Sequence, residues 1–283
     1  MSRPPTFAPP ARTRAYPLLT SRGPFAVLDT SPARHTRGTA LLLPGYTGSK
    51  EDFIAMLEPL AGAGFRTVAV DGRGQYESEG TDAQEAYAQA ELARDVIAQA
   101  CALDTPVHLV GHSLGGQIAR AAVLLDPSPF ASLTLMSSGP AQVTAEQQQK
   151  IKLLSDALAV MGMEQVWEAM RAMDPPAERE SDDTDMRRRW MLHRPAQLIA
   201  TGRQLATEPD RTDELAAVPL PLHVVSGERD DTWPVPLLDA MAERLGARRT
   251  VIRGAEHSPN TDRPAETSAA LAAFWEGIQY EGV

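Results

Sequence analysis

The chain has 283 residues, 43% of them hydrophobic and 5% aromatic, with a formal net charge of −10. That length allows one large α/β domain or two small ones and supplies enough apolar residues for a sizeable core. The acidic balance, with no basic stripe, argues against nucleic acid as a partner; the single cysteine, Cys101, excludes an intrachain disulfide framework and a multi-cysteine zinc site.

Residues 1–17 carry five prolines and lack the apolar stretch of a secretory signal, so an irregular, mobile arm is expected there. No apolar run reaches the ~18–20 residues of a membrane span, and a cytoplasmic setting is expected. Phe25–Thr30 and Thr39–Leu43 read as strands, the second ending at Pro44-Gly45. Ser49 is placed to cap a helix whose apolar face is Phe53, Leu57 and Leu60. Arg66–Val70 is the next strand, closed by Asp71-Gly72-Arg73-Gly74. A helix follows with Leu92, Val96, Ala100 and Leu103 on one side; Cys101, near its end, is expected to be a small buried hydrophobe.

Val107–Val110 is a short, wholly apolar strand, Leu114–Leu125 a helix of small residues, and Leu133–Met136 another strand. Apolar strands separated by amphipathic helices predict α/β architecture: a mostly parallel central sheet with helices on both faces. The rhythm then breaks. From Pro140 to about Asp213 the pattern is helical, with a mixed-charge stretch from Asp174 to Arg189. It resumes with Leu222–Val225, Pro236–Leu245, Thr250–Ile252 and Pro264–Ile278. The expected organisation is an arm over 1–17, a core over 18–139 and 214–283, and a helical cap inserted over 140–213.

The strongest chemical signal is Gly111-His112-Ser113-Leu114-Gly115, a G-x-S-x-G pattern with an apolar strand before it and a helix after it. Serine on such a sharp turn lifts its hydroxyl above the sheet edge, and the helix N-terminus favours developing negative charge. A plain glycine-rich strand-to-helix turn is the competing interpretation. Gly45-Tyr46-Thr47-Gly48-Ser49-Lys50 lacks the spacing of a phosphate-binding loop and is set aside as one.

With Leu43-Pro44-Gly45-Tyr46, Asp71-Gly72-Arg73-Gly74, Gly227-Glu228-Arg229-Asp230 and Gly254-Ala255-Glu256-His257 added in this order, residues 39–276 resemble the α/β-hydrolase superfamily. The resemblance implies Ser113 as nucleophile and His257, in a loop before the last helix, as its base. Among the other histidines, His35 lies in a polar stretch, His108 and His223 fall inside strands, His112 is the variable position of the elbow, and His193 lies in the insertion. The orienting acid is implied to be Asp230, with Asp231 in reserve and Glu228 close by. The resemblance implies oxyanion donors in the backbone N–H groups of Leu114 and Tyr46. Asp71 and Arg73 are expected to brace their loop, and the usual second glycine of that loop is replaced around Tyr76.

Six of the ten methionines fall in the insertion. Tyr46, Met161, Trp167, Met170, Trp190 and Met191 are the expected lining of an adaptable apolar pocket, with packing of the cap helices as the alternative for each. The implied activity is that of a serine esterase acting on a small-molecule carboxylic ester through an acyl-enzyme, with no metal and no organic cofactor. A thioesterase, lactonase, amidase, carbon–carbon bond hydrolase or cofactor-free haloperoxidase could use the same triad. A non-catalytic ligand-binding protein of the same fold stands as the alternative from another class.

Overall fold

The computed structural model describes residues 2–103, 106–173 and 183–278. Met1 of the expected arm, and 174–182 of the expected mixed-charge stretch, lie outside the described residues. The strands are β1 (Thr13–Thr20), β2 (Gly23–Thr30), β3 (Gly38–Leu43), β4 (Phe65–Val70), β5 (Val107–His112), β6 (Phe130–Met136), β7 (Leu222–Gly227) and β8 (Arg248–Ile252). They form one sheet in the order β1-β2-β4-β3-β5-β6-β7-β8. β2 runs antiparallel to both β1 and β4, and the pairings from β4 through β8 are parallel.

The continuous apolar strands of the sequence are those covered on both faces. Along β3, Leu41 and Leu43 join one core cluster while Ala40 and Leu42 join the other, as the two-residue period of a strand requires. The first face is covered by α2 (Gln89–Cys101), α3 (Leu114–Leu125) and α9 (Val235–Leu245). The second is covered by α1 (Ile54–Gly62) and α11 (Pro264–Trp275), where the expected stripe Phe53, Leu57 and Leu60 is fully buried. Each such side chain contributes roughly 1.5–3 kcal/mol by leaving water.

Two local expectations are corrected. The arm is shorter than 1–17, because Thr13–Thr20 pairs with β2 along its whole length. Pro17 is tolerated there because β1 is an edge strand, where a missing N–H breaks no second ladder. Cys101 is exposed. Nine residues after Leu92, at ~100° per residue, it lies on the opposite side of α2 from the buried stripe.

Between β6 and β7 the chain forms α4 (Ala145–Val160), α5 (Met163–Met173), α6 (Thr184–Leu192), α7 (Pro195–Thr207) and α8 (Thr212–Ala216), with no strand among the described residues. These helices have a cluster of their own, Leu158, Val166, Trp167, Met186, Trp190 and Leu198. Charged groups tie this helical segment to the sheet at two buried points. Arg120 of α3 pairs with Glu208, just past α7, at 2.7 Å, and donates to the carbonyls of Gly139 and Pro140. Arg189 of α6 pairs with Asp52 at 2.7 Å, both side chains fully buried. Glu208 also accepts from Gln89 Nε2 at 2.7 Å. Glu208→Ala should therefore cost about 3–5 kcal/mol, because it strands a buried guanidinium. Urea unfolding checks this, and a loss under 1 kcal/mol would show that water reaches Arg120. No helix among the described residues is long and apolar enough to cross a membrane.

Candidate active site

β5 ends at His112, and the chain turns at once into α3. Ser113 sits on that turn at φ 53°, ψ −118°, a conformation that side-chain-bearing residues rarely adopt. Its N–H donates to Met136 O at 2.9 Å, which fixes the elbow to β6. The flanking glycines are required by contact. A Cβ on Gly111 would lie 2.3 Å from Gly115 O, and one on Gly115 would lie 2.5 Å from Leu43 O. Strand, elbow and helix thus approach closely enough to hold the hydroxyl at the carboxyl edge of the sheet.

Two loops bring partners to that hydroxyl. His257, in the loop after β8, places Nε2 3.1 Å from Ser113 Oγ. Its Nδ1 is 2.9 Å from Asp230 Oδ1, in the loop after β7. The Asp230 side chain is fully buried, and the same Oδ1 accepts the N–H groups of Thr232 and Trp233. Asp231 turns outward, where it accepts from Gln147 Nε2. Glu228 bonds the N–H of Gly254. Of the three acidic candidates, Asp230 alone meets the imidazole. Carboxylate, imidazole and hydroxyl form a continuous hydrogen-bonded chain, the arrangement that lets a histidine take a serine proton.

The other histidines are accounted for. His35 is exposed. His108 bonds Ser132 Oγ at 2.8 Å and His223 bonds Thr250 Oγ1 at 2.9 Å, both inside the sheet. His112 donates from Nε2 to His257 O at 2.9 Å and so holds the backbone of the loop carrying the imidazole. Burial, with some repulsion from His257, pushes its pKa down to about 4. His193 lies between the carbonyls of Arg189 and Gly48, joining α6 to the turn after β3.

That turn, Gly45–Gly48, faces Ser113. Gly45 O accepts from Gly48 N at 3.2 Å and from Gln75 Nε2 at 2.9 Å. Gln75 is buried, and its Oε1 takes the N–H of Gly72, so its amide cannot turn freely. Because a trans peptide sets C=O and N–H on opposite sides, the Tyr46 N–H points away from Gln75. Leu114 is the first residue of α3, so its N–H has no carbonyl one turn back. Gln75 has no sequence signal beyond its place in the Asp71 loop. That loop is braced as expected: Asp71 accepts from Lys50 N and Nζ, and Arg73 pairs with Asp95. Burial opposes the charge on Lys50, but Asp71 and Glu51 outweigh it and hold its pKa above the ordinary value. Tyr76, where the usual glycine is missing, has φ 40°.

Ser113 and His257 open on a cavity of about 310 Å³. Its walls are Gly45–Gly48, His112 and Ser258 from the core, and Val143, Gln147, Ile151 and Leu205 from the helical segment, with Ser2 and Thr232 at its edge. Of the side chains expected to line a pocket, Tyr46 does so, with its hydroxyl donating to Leu198 O. Trp167, Met170, Trp190 and Met191 belong instead to the cluster between the cap helices, and Met161 is partly exposed at the end of α4. Gln147 and Ile151 lie one turn apart on α4, and Val143 precedes its N-cap, Thr144. Among the described lining residues there is no Lys or Arg.

Comparisons with known proteins agree with this architecture. The chain is 31% identical over 202 residues to a pimeloyl-[acyl-carrier protein] methyl ester esterase of Aeromonas hydrophila, covering 66% of this chain and 76% of that protein. A 2-hydroxy-6-oxononadienedioate/2-hydroxy-6-oxononatrienedioate hydrolase of Paraburkholderia xenovorans is 30% identical over 206 residues, 69% of each chain. Among solved structures, a thermophilic esterase from Thermogutta terrifontis superimposes with a TM-score of 0.73 at 22% identity, over 94% of this chain and all of that one. The profile of the alpha/beta hydrolase family matches residues 40–270, most of the chain. The chain belongs to the alpha/beta hydrolase family.

Proposed function

We propose that this protein hydrolyses small, uncharged carboxylic esters through an acyl-enzyme on Ser113. The observation that carries the reading is the chain Asp230–His257–Ser113, with links of 2.9 and 3.1 Å, opening on a cavity walled by Val143, Ile151 and Leu205. Ser113 Oγ attacks the ester carbonyl carbon while its proton passes to His257 Nε2. Asp230 orients the imidazole and stabilises the imidazolium. The tetrahedral oxyanion is received by the N–H groups of Tyr46 and Leu114. As the C–O bond to the alcohol breaks, His257 returns the proton to the leaving oxygen. Water, deprotonated by the same nitrogen, then attacks the acyl carbon, and as the bond to Ser113 Oγ breaks His257 returns the proton to that oxygen and the acid leaves.

The relatives named above include one named for its action on a dioate. Two carboxylates in this cavity would meet no cationic side chain among the described lining residues, which favours a neutral ester over a charged diketone. The test is fluorophosphonate labelling with peptide mapping, followed by turnover of a panel of p-nitrophenyl and methyl esters alongside a dioate diketone. Labelling on Ser113 with ester turnover supports the reading, and turnover of the diketone alone would replace it.

Gln75 enters the mechanism through the Gly45 carbonyl. In Gln75→Met the side chain keeps its bulk but releases that carbonyl, so the Tyr46 N–H loses its fixed direction. The expected result is a fall in kcat of roughly 10-fold with little change in KM, since the donor acts on the oxyanion and not on the ground state. A change confined to KM would mean that the Tyr46 amide contributes only to binding.

A further inference from the structure

The segment ahead of β1 is not used by the mechanism, yet it reaches the reaction site. Ser2 borders the same cavity as Ser113, next to the Gly45–Gly48 turn. Its carbonyl accepts a hydrogen bond of 2.5 Å from Arg189 Nη2. Arg189 is a firm anchor, because its other terminal nitrogen is spent on Asp52 in a pair from which water is excluded. Asp52 in turn accepts the N–H of Ser49, immediately past the turn that carries Tyr46. Further along, Arg3 pairs with Asp183 at 3.0 Å. Phe7 packs against the cap cluster and sets its ring edge-on to Tyr76, with centroids 6.4 Å apart. The Arg189 guanidinium lies 5.7 Å from the Phe7 ring centroid. Residues 2–7 are therefore held at both ends, by a charge-assisted bond to the Ser2 carbonyl and an ion pair at Arg3 on one side and by the packed Phe7 ring on the other.

We propose that residues 2–7 form a wall of the substrate cavity that limits the length of the acyl or alcohol part, with Arg189 as the clamp that holds the wall against the oxyanion turn. This rests on the esterase reading above. Without the wall the cavity would be open beside Ser2, and an extended alkyl chain could leave the site along the surface now covered by Arg3 to Phe7. The placement also bears on a buried arginine that catalysis does not need: burying a guanidinium is costly unless it is paired, and here Nη1 pairs with Asp52 while Nη2 donates to the Ser2 carbonyl.

The experiment compares the full chain with a variant lacking residues 2–8, and with Ser2→Trp, on p-nitrophenyl acetate, hexanoate and decanoate. The labelling rates of an ethyl and a dodecyl fluorophosphonate are measured in parallel. In the deletion, the ratio of kcat/KM for decanoate to that for acetate should rise roughly tenfold or more, with the dodecyl probe gaining on the ethyl probe in the same sense. Ser2→Trp should move both ratios the other way. Ratios within about twofold of the parent in both variants would overturn the proposal. If the deletion fails to fold, Ser2→Trp and Ser2→Gly decide it alone, by opposite shifts or by none. A parent that turns over no ester but is labelled faster by the ethyl probe sinks the esterase reading and leaves the wall standing. No labelling by either probe removes both.

Discussion

Ser113→Ala should lower kcat by roughly 10⁴-fold while the protein remains folded, because among the described residues His257 Nε2 is hydrogen-bonded to the Ser113 hydroxyl and to no other. The residual rate would come from binding and from the two backbone donors. Ser113→Gly should be equally inactive but more stable than Ser113→Ala. At φ 53°, ψ −118° an alanine keeps the backbone strain and a glycine relieves it. That strain is of order 1–3 kcal/mol, and the entropy of a glycine in the unfolded chain offsets about 0.5–1 of it. Thermal melting of the two variants side by side is the check. Turnover of the alanine variant near that of the parent would remove Ser113 from the mechanism, whereas equal melting points would mean only that the elbow is unstrained.

Lowering the pH from 7 to 5 should cost this protein several kcal/mol of stability, a large share of the 5–15 kcal/mol typical of a folded chain. The source is a set of histidines buried in neutral form. Burial pushes His108, His112 and His193 down to about 4 and His223 to about 3. In the unfolded chain each would bind its proton near pH 6.5. Between those values the unfolded state holds more protons than the folded one, so stability falls as pH falls. The contribution is fully present above about pH 6.5 and drains away down to about pH 4, at roughly 1.4 kcal/mol per pH unit per histidine. Four such groups set an upper bound of about 8 kcal/mol by pH 5. Urea midpoints measured from pH 7.5 to 4.5 read this directly, and His108→Gln should flatten the curve by about one proton. A midpoint independent of pH over that range would mean that these rings bind protons equally in the folded and the unfolded chain.

The core strands and the elbow at Ser113 are legible in the sequence for a physical reason, whereas Asp230 and His257 are reached there only through the resemblance to the α/β-hydrolase superfamily. A strand covered on both faces must be apolar throughout, and an elbow that brings backbones within contact of each other must carry glycines, so both leave local marks. β1 leaves a weaker mark, since an edge strand tolerates Pro17 and alternates imperfectly. Cys101 was assignable from its angle around α2, and proximity to the stripe of Leu92, Val96 and Ala100 was the wrong guide. The pocket is the harder case. Whether a methionine or tryptophan in α5 or α6 faces a neighbouring helix or a ligand is set by how the helices settle on one another, which the spacing within any one of them does not encode. Trp167 and Trp190 are large enough to be wanted by the cluster between the helices. The smaller Val143, Ile151 and Leu205 are left to face the cavity. Gln75 is invisible for a related reason: a side-chain amide takes its meaning from the carbonyl it meets, 30 positions away.

The two charged ties between the helical segment and the sheet bear on how such a protein can be re-engineered. Inserted helical segments are attractive parts to exchange between hydrolases, because here one supplies Val143, Gln147, Ile151 and Leu205 to the cavity wall. Here a transplant that replaced Glu208 or Arg189 would leave Arg120 or Asp52 buried with an uncancelled charge, and the chimera would fail at the seam before its pocket was ever tested. A donor segment has to bring both charges at matching positions, or the recipient's Arg120 and Asp52 have to be made apolar in the same step.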